Sequence, residues 1–246
     1  MADRNRPPAP PGGAAADDTH ARLLETAGRV FAETGFQAAK VRDICARAGV
    51  NLAAVNYHFG DKLGLYQQVL RYAACAAGNV TSFDPRLPGR TPRAKLRAFV
   101  RGMLQHMYGE DRPAWPVRLM THELAQPTPV FDDVVEQASR PRYDAIRALV
   151  GGVIGRPPDD RQTRLCAQSI FGQISIYGHG REALKRLWPE LRYTSGTLDE
   201  IADHIAAFSY AALRSLARRA RKDGGAGRAR HNARAAHARP GRRAAK

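Results

Sequence analysis

Glycines at positions 35, 49 and 60 divide the stretch from residue 19 to residue 78 into four amphipathic segments. Within each segment the apolar residues recur three and four positions apart, which is typical of a helix with one buried face. Glycine readily adopts the backbone conformations that end helices and form tight turns. The pattern therefore predicts four helices in a small N-terminal unit, over residues 19–34, 41–48, 52–58 and 62–78.

The same spacing continues to about residue 220, with neither an alternating strand pattern nor an internal repeat. We therefore predict an all-α fold, in which a small helical head precedes a larger helical body. Proline removes a backbone donor and kinks or ends a helix, so Pro141 should interrupt one of the body helices. The body helices are expected at 92–109, 113–125, 129–154, 160–180 and 198–220.

Composition divides the chain into four parts. Residues 1–17 are rich in Pro, Gly and Ala, residues 221–246 are of low complexity, and both are predicted to be disordered. Between them lie the head, residues 18–80, and the body, residues 81–220. The formal net charge is +16, but residues 218–246 carry +10 of it. The basic tail can add nonspecific DNA affinity or be a solvated extension.

Several classes of protein find no support in the sequence. No apolar run reaches the ~18–20 residues of a membrane-spanning helix, and the N-terminus has no apolar signal-peptide core, so a cytoplasmic location is expected. The three cysteines have no CxxC spacing and the eight histidines show no HExxH arrangement, so no metal site or cofactor is predicted. Catalytic motifs such as GxSxG are also missing, and we predict no enzyme activity. Cys45 is expected to be an inert buried thiol, with a redox switch as the alternative.

Two short helices joined by residues 48–51 have the spacing of a helix-turn-helix. In that motif the second helix enters the major groove of DNA, and its first residues reach the base edges. Those positions are Asn51, Leu52, Ala53 and Ala54. Asn51 can bond a base or cap its own helix. The other three can only contact thymine methyl groups or let the backbone approach closely.

Polar and aromatic groups flank this candidate recognition helix. Asn56, Tyr57 and His58 close it, and Lys62 begins the next helix. All four can donate hydrogen bonds to phosphate, although Tyr57 and His58 could instead pack between helices. Arg42, near the start of the preceding helix, is a candidate for a bidentate guanine contact or a solvated surface residue.

Residues 21–70 resemble the DNA-binding domain of the TetR family of transcriptional regulators. They contain FAETGF at 31–36, VRDICARAGV at 41–50 and YHFGDK at 57–62, in the order and spacing of that family. The resemblance implies a three-helix DNA-binding head on an all-α ligand-binding body. It also implies a homodimer on a near-palindromic double-stranded operator, released when a small molecule binds.

The sequence departs from the family pattern at two places. Asn56 replaces the aromatic residue that commonly precedes the Tyr-His pair, and Ala39 and Lys40 replace the usual cap and phosphate donors of the second helix. Lys40 could substitute as a phosphate ligand. The segments at 55–66 and 118–150 resemble more narrowly the CecR-like subgroup.

Apolar rows in the body suit helix packing. By resemblance, the last two long helices would form a four-helix dimer interface, with packing inside one chain as the alternative. The rows are Leu165/Ser169/Gly172/Ile176, Cys166/Ile170/Gln173/Tyr177 and Ile201/Ile205/Phe208/Ala212.

Polar or soft side chains that interrupt the apolar faces are candidates for a ligand pocket, although each could be an ordinary core or surface residue. They are Met103, His106, Met107, Trp115, Arg118, His122, Glu123, Gln173 and Tyr177. Together with the resemblance, the patterns predict a ligand-responsive transcriptional regulator, which the resemblance implies is a repressor released from a palindromic operator by a small molecule. The alternative is an architectural or nonspecific DNA-binding protein driven by the basic tail.

Overall fold

The computed structural model describes the backbone of residues 13–75, 91–108 and 113–237, and the side chains of 18–74, 91–108 and 113–220. All regular elements in these ranges are helical, which confirms the all-α fold. The head contains α1 (Gly13–Ala38), α2 (Val41–Ala48), α3 (Leu52–Phe59) and α4 (Lys62–Cys75). The body contains α5 (Pro92–Tyr108), α6 (Trp115–Ala125), α7 (Phe131–Val134), α8 (Arg140–Ile154), α9 (Arg161–Gly178), α10 (Arg181–Leu187) and α11 (Ser195–His237).

The three glycines of the head lie where helices end or change direction, as predicted. Gly35, Gly49 and Gly60 all have positive φ, at 76°, 66° and 78°. Gly49 forms the left-handed end of α2 and lets the chain turn into α3. Gly35 lies inside the long α1 and changes the direction of its last turn. The predicted bounds of α2 match the observed ones residue for residue.

The helical run does not break at Pro141, and its irregularity lies just before that residue. A π-helical turn, Val135–Ser139, separates α7 from α8, and Pro141 is the second residue of α8. A π turn accommodates a local irregularity in the hydrogen-bond ladder, and Pro141 cannot donate to that ladder. The sequence missed α10, a short helix with exposed charged residues.

Part of each end that was predicted to be disordered is helical. The backbone is already helical from Gly13, and α11 continues to His237, so residues 13–17 and 221–237 correct the prediction. Both segments are rich in alanine, and the tail also in arginine, which have high helix propensity. Extending a helix that packing has already nucleated costs little compared with starting one. Residues 1–12 and 238–246 lie outside the described residues, as does the predicted head–body boundary at residue 80.

Two hydrophobic cores organise the molecule. The first combines α1–α4 with residues of α6, α7 and the π turn, among them Trp115, Leu119 and Val134. The second joins α5, α8, α9 and the first half of α11. The core of the head therefore extends into body residues 115–138, because α6 packs across both α1 and α4. None of the helices in the described part of the chain has the length and apolar content that a bilayer crossing requires.

Candidate DNA interface and ligand cavity

The α2–turn–α3 unit is held by small and apolar contacts. Ile44, Cys45 and Ala48 of α2 and Val55 and Phe59 of α3 are buried. The backbone N–H of residue 50 donates to the carbonyl of residue 45, at 3.1 Å, and closes the turn. Burial raises the pKa of the Cys45 thiol, which favours its expected role as a packing residue over a redox switch.

Asn51 caps α3. Its Oδ1 accepts the backbone N–H of Ala54 at 2.9 Å, and its own backbone is extended. This confirms the capping role. The bond uses only the side-chain oxygen, so a base contact through the amide nitrogen is compatible with it.

The outer face of α3 and the start of α2 are open to solvent. Lys40, Arg42, Asn51, Ala53 and Asn56 are exposed, and Ala54 is half-buried. Leu52 and Tyr57 are large side chains that are also exposed on α3. Tyr57 is 85 % exposed, so it does not pack between helices, contrary to the alternative that the sequence left open. A side chain this exposed to solvent does not contribute to packing of the core.

His58 and Lys62 are more enclosed than their neighbours. The His58 ring is half-buried, and its centroid lies 5.9 Å from that of His20 on α1. The Lys62 ammonium donates to the Gln37 carbonyl at 3.2 Å and lies over the Phe36 ring at 4.7 Å. Partial burial lowers the pKa of Lys62. Within the head, His58 therefore also contacts the first half of α1, and Lys62 contacts its C-terminal end.

Close approach fixes the angle between α3 and α4. A β-carbon at Gly64 would lie 2.1 Å from the carbonyl oxygen of Phe59, so only glycine fits there. The Asp61 carboxylate caps α4 by accepting the Gly64 N–H at 2.8 Å. The end of the recognition helix and the start of α4 are consequently one rigid corner.

A cavity of about 1000 Å³ lies in the body, between the C-terminal end of α4 and helices α5 to α9. Three of the predicted pocket residues, Met103, His106 and Met107, line it from α5. On α6, the residues in its wall are Pro116, Val117, Met120 and Leu124.

The structure does not bring the other six candidates to this cavity. Arg118 and His122 are exposed, Gln173 donates to the Ser209 hydroxyl at 3.1 Å, and Tyr177 lines a smaller, separate pocket beside α11. Trp115 and Glu123 lie on the face of α6 that packs against the head. The sequence placed pocket candidates on α6, but the α6 residues that line this cavity are different ones.

Trp115 and Glu123 instead make specific contacts with the head. The Trp115 indole N–H donates to Glu25 of α1 at 3.0 Å, and its ring lies directly against Gly28. The Glu123 carboxylate is fully buried and accepts the Tyr66 hydroxyl of α4 at 2.6 Å. Its other oxygen accepts the backbone N–H and hydroxyl of Thr128, at 2.9 and 2.8 Å.

Sequence reasoning missed the cavity residues of α4, α8 and α9. One sequence signal could have found the α9 residues, because those that line the cavity lie three and four positions apart. The missed polar and aromatic members, which also include residues of α7, the π turn and the end of α9, are Tyr72, Phe131, Ser139, Arg140, Arg142, Tyr143, Gln168, Phe171, Ser175 and His179.

A second surface of interest is formed by α9 and α11. Leu165, Ile176 and Phe208 are exposed there, with Phe208 64 % exposed, beside the exposed small residues Ser169 and Gly172. Ala212 is exposed as well, and Cys166 is half-buried. Ile170, Ile201 and Ile205 face the core of the body. The first of the three predicted rows thus faces solvent, the second packs mainly within the chain, and the third is divided between the core and the surface.

Known families match both parts of the chain. Residues 23–69 match the family described as "Bacterial regulatory proteins, tetR family". Residues 92–213 match "HTH-type transcriptional dual regulator CecR, C-terminal domain". The CecR dual regulator of Shigella flexneri is 26% identical over 175 residues, which cover 66% of this chain and 77% of CecR. The transcriptional regulator AcrR of Shigella flexneri is 26% identical over 167 residues, covering 65% and 76% of the two chains.

Solved structures share the fold. FadR of Bacillus subtilis, in complex with stearoyl-CoA, superposes with a TM-score of 0.59 at 15% identity, covering 78% of this chain and 97% of FadR. The TetR family regulator PfmR of Thermus thermophilus has a TM-score of 0.56 at 18% identity, covering 77% and 97%. With its head and its body both matched, the chain belongs to the TetR family of transcriptional regulators.

Proposed function

We propose that the protein is a dimeric repressor that leaves a palindromic operator when a small molecule occupies the body cavity. The observation that carries the DNA-binding mode is the exposed side of α3, with Tyr57 85 % exposed at its far end. A helix lying in the major groove brings its end alongside the phosphate backbone, where such a hydroxyl is a useful donor. The proposed site of action is the cytoplasm.

The contact residues fall into two groups by chemistry. Arg42 and Asn51 carry donors that can read base edges, while Leu52, Ala53 and Ala54 allow close approach and contact with thymine methyl groups. The residues proposed to contact DNA phosphates are Lys40, Asn56, Tyr57, His58 and Lys62. Asn51 and Lys62 perform these roles in addition to their structural hydrogen bonds.

The exposed apolar face of α9 and α11 supports a homodimer. Leu165, Ile176 and Phe208 would be buried against the same face of a second copy, with Gly172 allowing close approach of the helices. The two α3 helices would then read half-sites about 34–36 Å apart, or a multiple of that distance.

Helix α4 connects the two sites. Its first residue, Lys62, belongs to the proposed DNA interface, and its end, at Tyr72, Ala73 and Ala74, lies in the cavity wall. A ligand that displaces α4 or α6 would change the spacing of the two recognition helices. The fixed half-site spacing of DNA turns such a displacement into lower affinity.

Selection of DNA sequences bound by the full chain, followed by binding measurements on variants, tests this proposal. Tyr57→Ala should weaken binding to all duplexes by about tenfold, since a hydrogen bond to a charged group is removed. Arg42→Ala should instead relax preference at one base pair per half-site, by ~1–3 kcal/mol. Arg161→Ala, an exposed arginine of α9, is the control and should change neither property. Unchanged binding in both head variants would rule out this docking.

The basic tail favours a second candidate, a nonspecific DNA-binding protein. Residues 218–246 hold eleven Lys and Arg and one acidic residue. Truncation after Ala217 separates the candidates, because a specific regulator keeps its sequence preference without the tail. The truncated chain should also show a shallower salt dependence, by about 0.9 in the log–log slope for each phosphate that the tail neutralises in the full chain. Disappearance of all sequence preference would support the second candidate.

A further inference from the structure

The wall of the body cavity has a definite electrostatic character. Its charged or titratable members within the described residues are Arg140, Arg142, His106, His179 and two tyrosines, and neither Asp nor Glu occurs among them. A cavity with low-dielectric walls strengthens the interaction between such groups and a bound charge. The described wall therefore favours a ligand that carries negative charge or accepts hydrogen bonds.

Arg142 is the cationic group most firmly built into the wall. The residue is only 9 % exposed, and its Nη2 donates to the carbonyl of Ala74, near the end of α4, at 2.9 Å. This bond holds the guanidinium at the junction of α4 and α8. A guanidinium has five N–H donors in a fixed planar arrangement that suits a carboxylate, sulfonate or phosphate. Arg140 pairs with Glu136 at 2.6 Å on the exposed side of α8, so Arg142 is the more buried of the two arginines in the wall.

The remainder of the wall is soft and apolar. Met103, Met107 and Met120 line it, and the chain contains only one other methionine, Met1. Methionine has flexible, polarizable side chains that adapt to irregular ligand shapes. Phe131 and Phe171 add aromatic surface. The wall thus suits a ligand with a sizeable hydrocarbon or aromatic body.

We propose that the effector is an amphipathic organic anion, with its acidic group at Arg142 and its apolar body against the methionine-lined wall. This inference rests on the proposed function, because it names the ligand class of the cavity that would release the repressor from DNA.

Binding of two matched series of probes to the native full-length protein tests the ligand class. The aliphatic series is decanoate, decanol and decyltrimethylammonium, and the aromatic series is 2-naphthoate, 2-naphthol and 2-naphthylmethylammonium. Isothermal titration should show that the anion of at least one series binds about tenfold tighter than its neutral analogue, with the cation weakest. Equal or tighter binding of the neutral or cationic probe in both series, or binding of none of the six, would overturn the inference.

Variants then locate the charge recognition. Arg142→Met should reduce the anion-to-neutral affinity ratio about tenfold, while Arg142→Lys should retain part of the preference. Arg156→Met, which removes an exposed arginine at the end of α8, is the matched control and should leave the ratio unchanged. An unchanged ratio in a folded Arg142→Met variant would exclude Arg142 as the anion site. Should that variant not fold, Arg142→Lys and the series on the native protein still decide the outcome.

Release of the selected operator distinguishes this inference from the proposed function. If an anion binds the cavity but leaves the protein–DNA complex intact, the ligand class stands and ligand release fails. If the neutral or cationic probe releases the DNA and the anion does not, release stands and the ligand class is wrong.

Discussion

Two faces of α6 differ in burial and in what they contact. The face toward the head consists of Trp115, Leu119 and Glu123, all buried, in one core with α1 and α4. Two of these side chains also hydrogen-bond to the head. The opposite face, with Val117 and Leu124 among its residues, borders the cavity, and Leu124 is 50 % exposed.

Helix α6 therefore lies between the cavity and the head. Close-packed surfaces transmit displacement because they have little room to adjust, whereas a wall beside an open cavity can adapt to a ligand. If a ligand displaces α6 from its cavity side, we therefore expect α1 and α4 to be displaced as well. Trp115 extends this path, because its ring stacks on Tyr72 of the cavity wall, at 6.0 Å, and also contacts Gly28.

The same substitution on each face of α6 gives the largest expected contrast. Leu119→Ala should lower the free energy of unfolding by ~2–5 kcal/mol, because it leaves a void in a fully buried position. Leu124→Ala removes the same atoms from a half-exposed position and should cost under about 1 kcal/mol. Urea denaturation of the two variants measures both values. Similar losses in the two variants would mean that the faces do not differ as described.

The head was accessible to sequence reasoning because its determinants are local. Gly49 at the turn, the Asn51 cap and the apolar spacing of α2 each act within a few residues, and they set bounds that the structure confirms. Tyr57 stood out for the same reason, since the short α3 needs only Val55 and Phe59 for its core.

The cavity could not be predicted to the same extent because it forms between helices distant in sequence. Helix α6 carries apolar residues on both faces, so its periodicity does not tell which face meets the head. Glu123 interrupts an apolar row, as a ligand-binding group would, but it hydrogen-bonds to Tyr66, which lies 57 residues earlier in the chain. Arg142 resembled any other arginine of the charged segment that contains it, and only the fold buries it.

Removing one hydroxyl tests the polar link between α6 and the head. Tyr66→Phe keeps the ring but leaves a Glu123 oxygen buried without its donor, and should cost ~1–3 kcal/mol at neutral pH. The control variant, Thr121→Val on the same helix, removes a less buried hydroxyl that bonds to the Val117 carbonyl and to His179, and should cost about 1 kcal/mol or less. A cost within error of zero would show that the Tyr66–Glu123 bond does not hold α6 to α4.

The pH dependence of this variant sharpens the assignment. Burial, together with the hydrogen bond to Glu123 and its charge, raises the pKa of Tyr66 in the folded protein. In the unfolded chain a tyrosine titrates near ~10, so the stabilisation is complete below that pH and is lost as the pH rises above it. The stability difference between the native protein and Tyr66→Phe should therefore shrink above pH ~10. A difference that stays constant to pH ~11 would contradict the assignment.

Substitution of Gly28, which contacts the Trp115 ring, should give the smallest change in stability, and the sign of that change should depend on Trp115. Alanine at position 28 should favour the α1 helix by ~1 kcal/mol, but its β-carbon would lie 2.5 Å from the Trp115 ring, and overpacking costs ~1–3 kcal/mol. Gly28→Ala should therefore lower stability by about 1 kcal/mol in the native background. In a Trp115→Leu background the clash is removed, and the same substitution should become stabilising, because only the propensity gain remains. A double-mutant cycle by urea denaturation measures this change of sign. If Gly28→Ala has the same effect in both backgrounds, the tryptophan does not press on α1, and the packed route from the cavity to the head through Trp115 is absent.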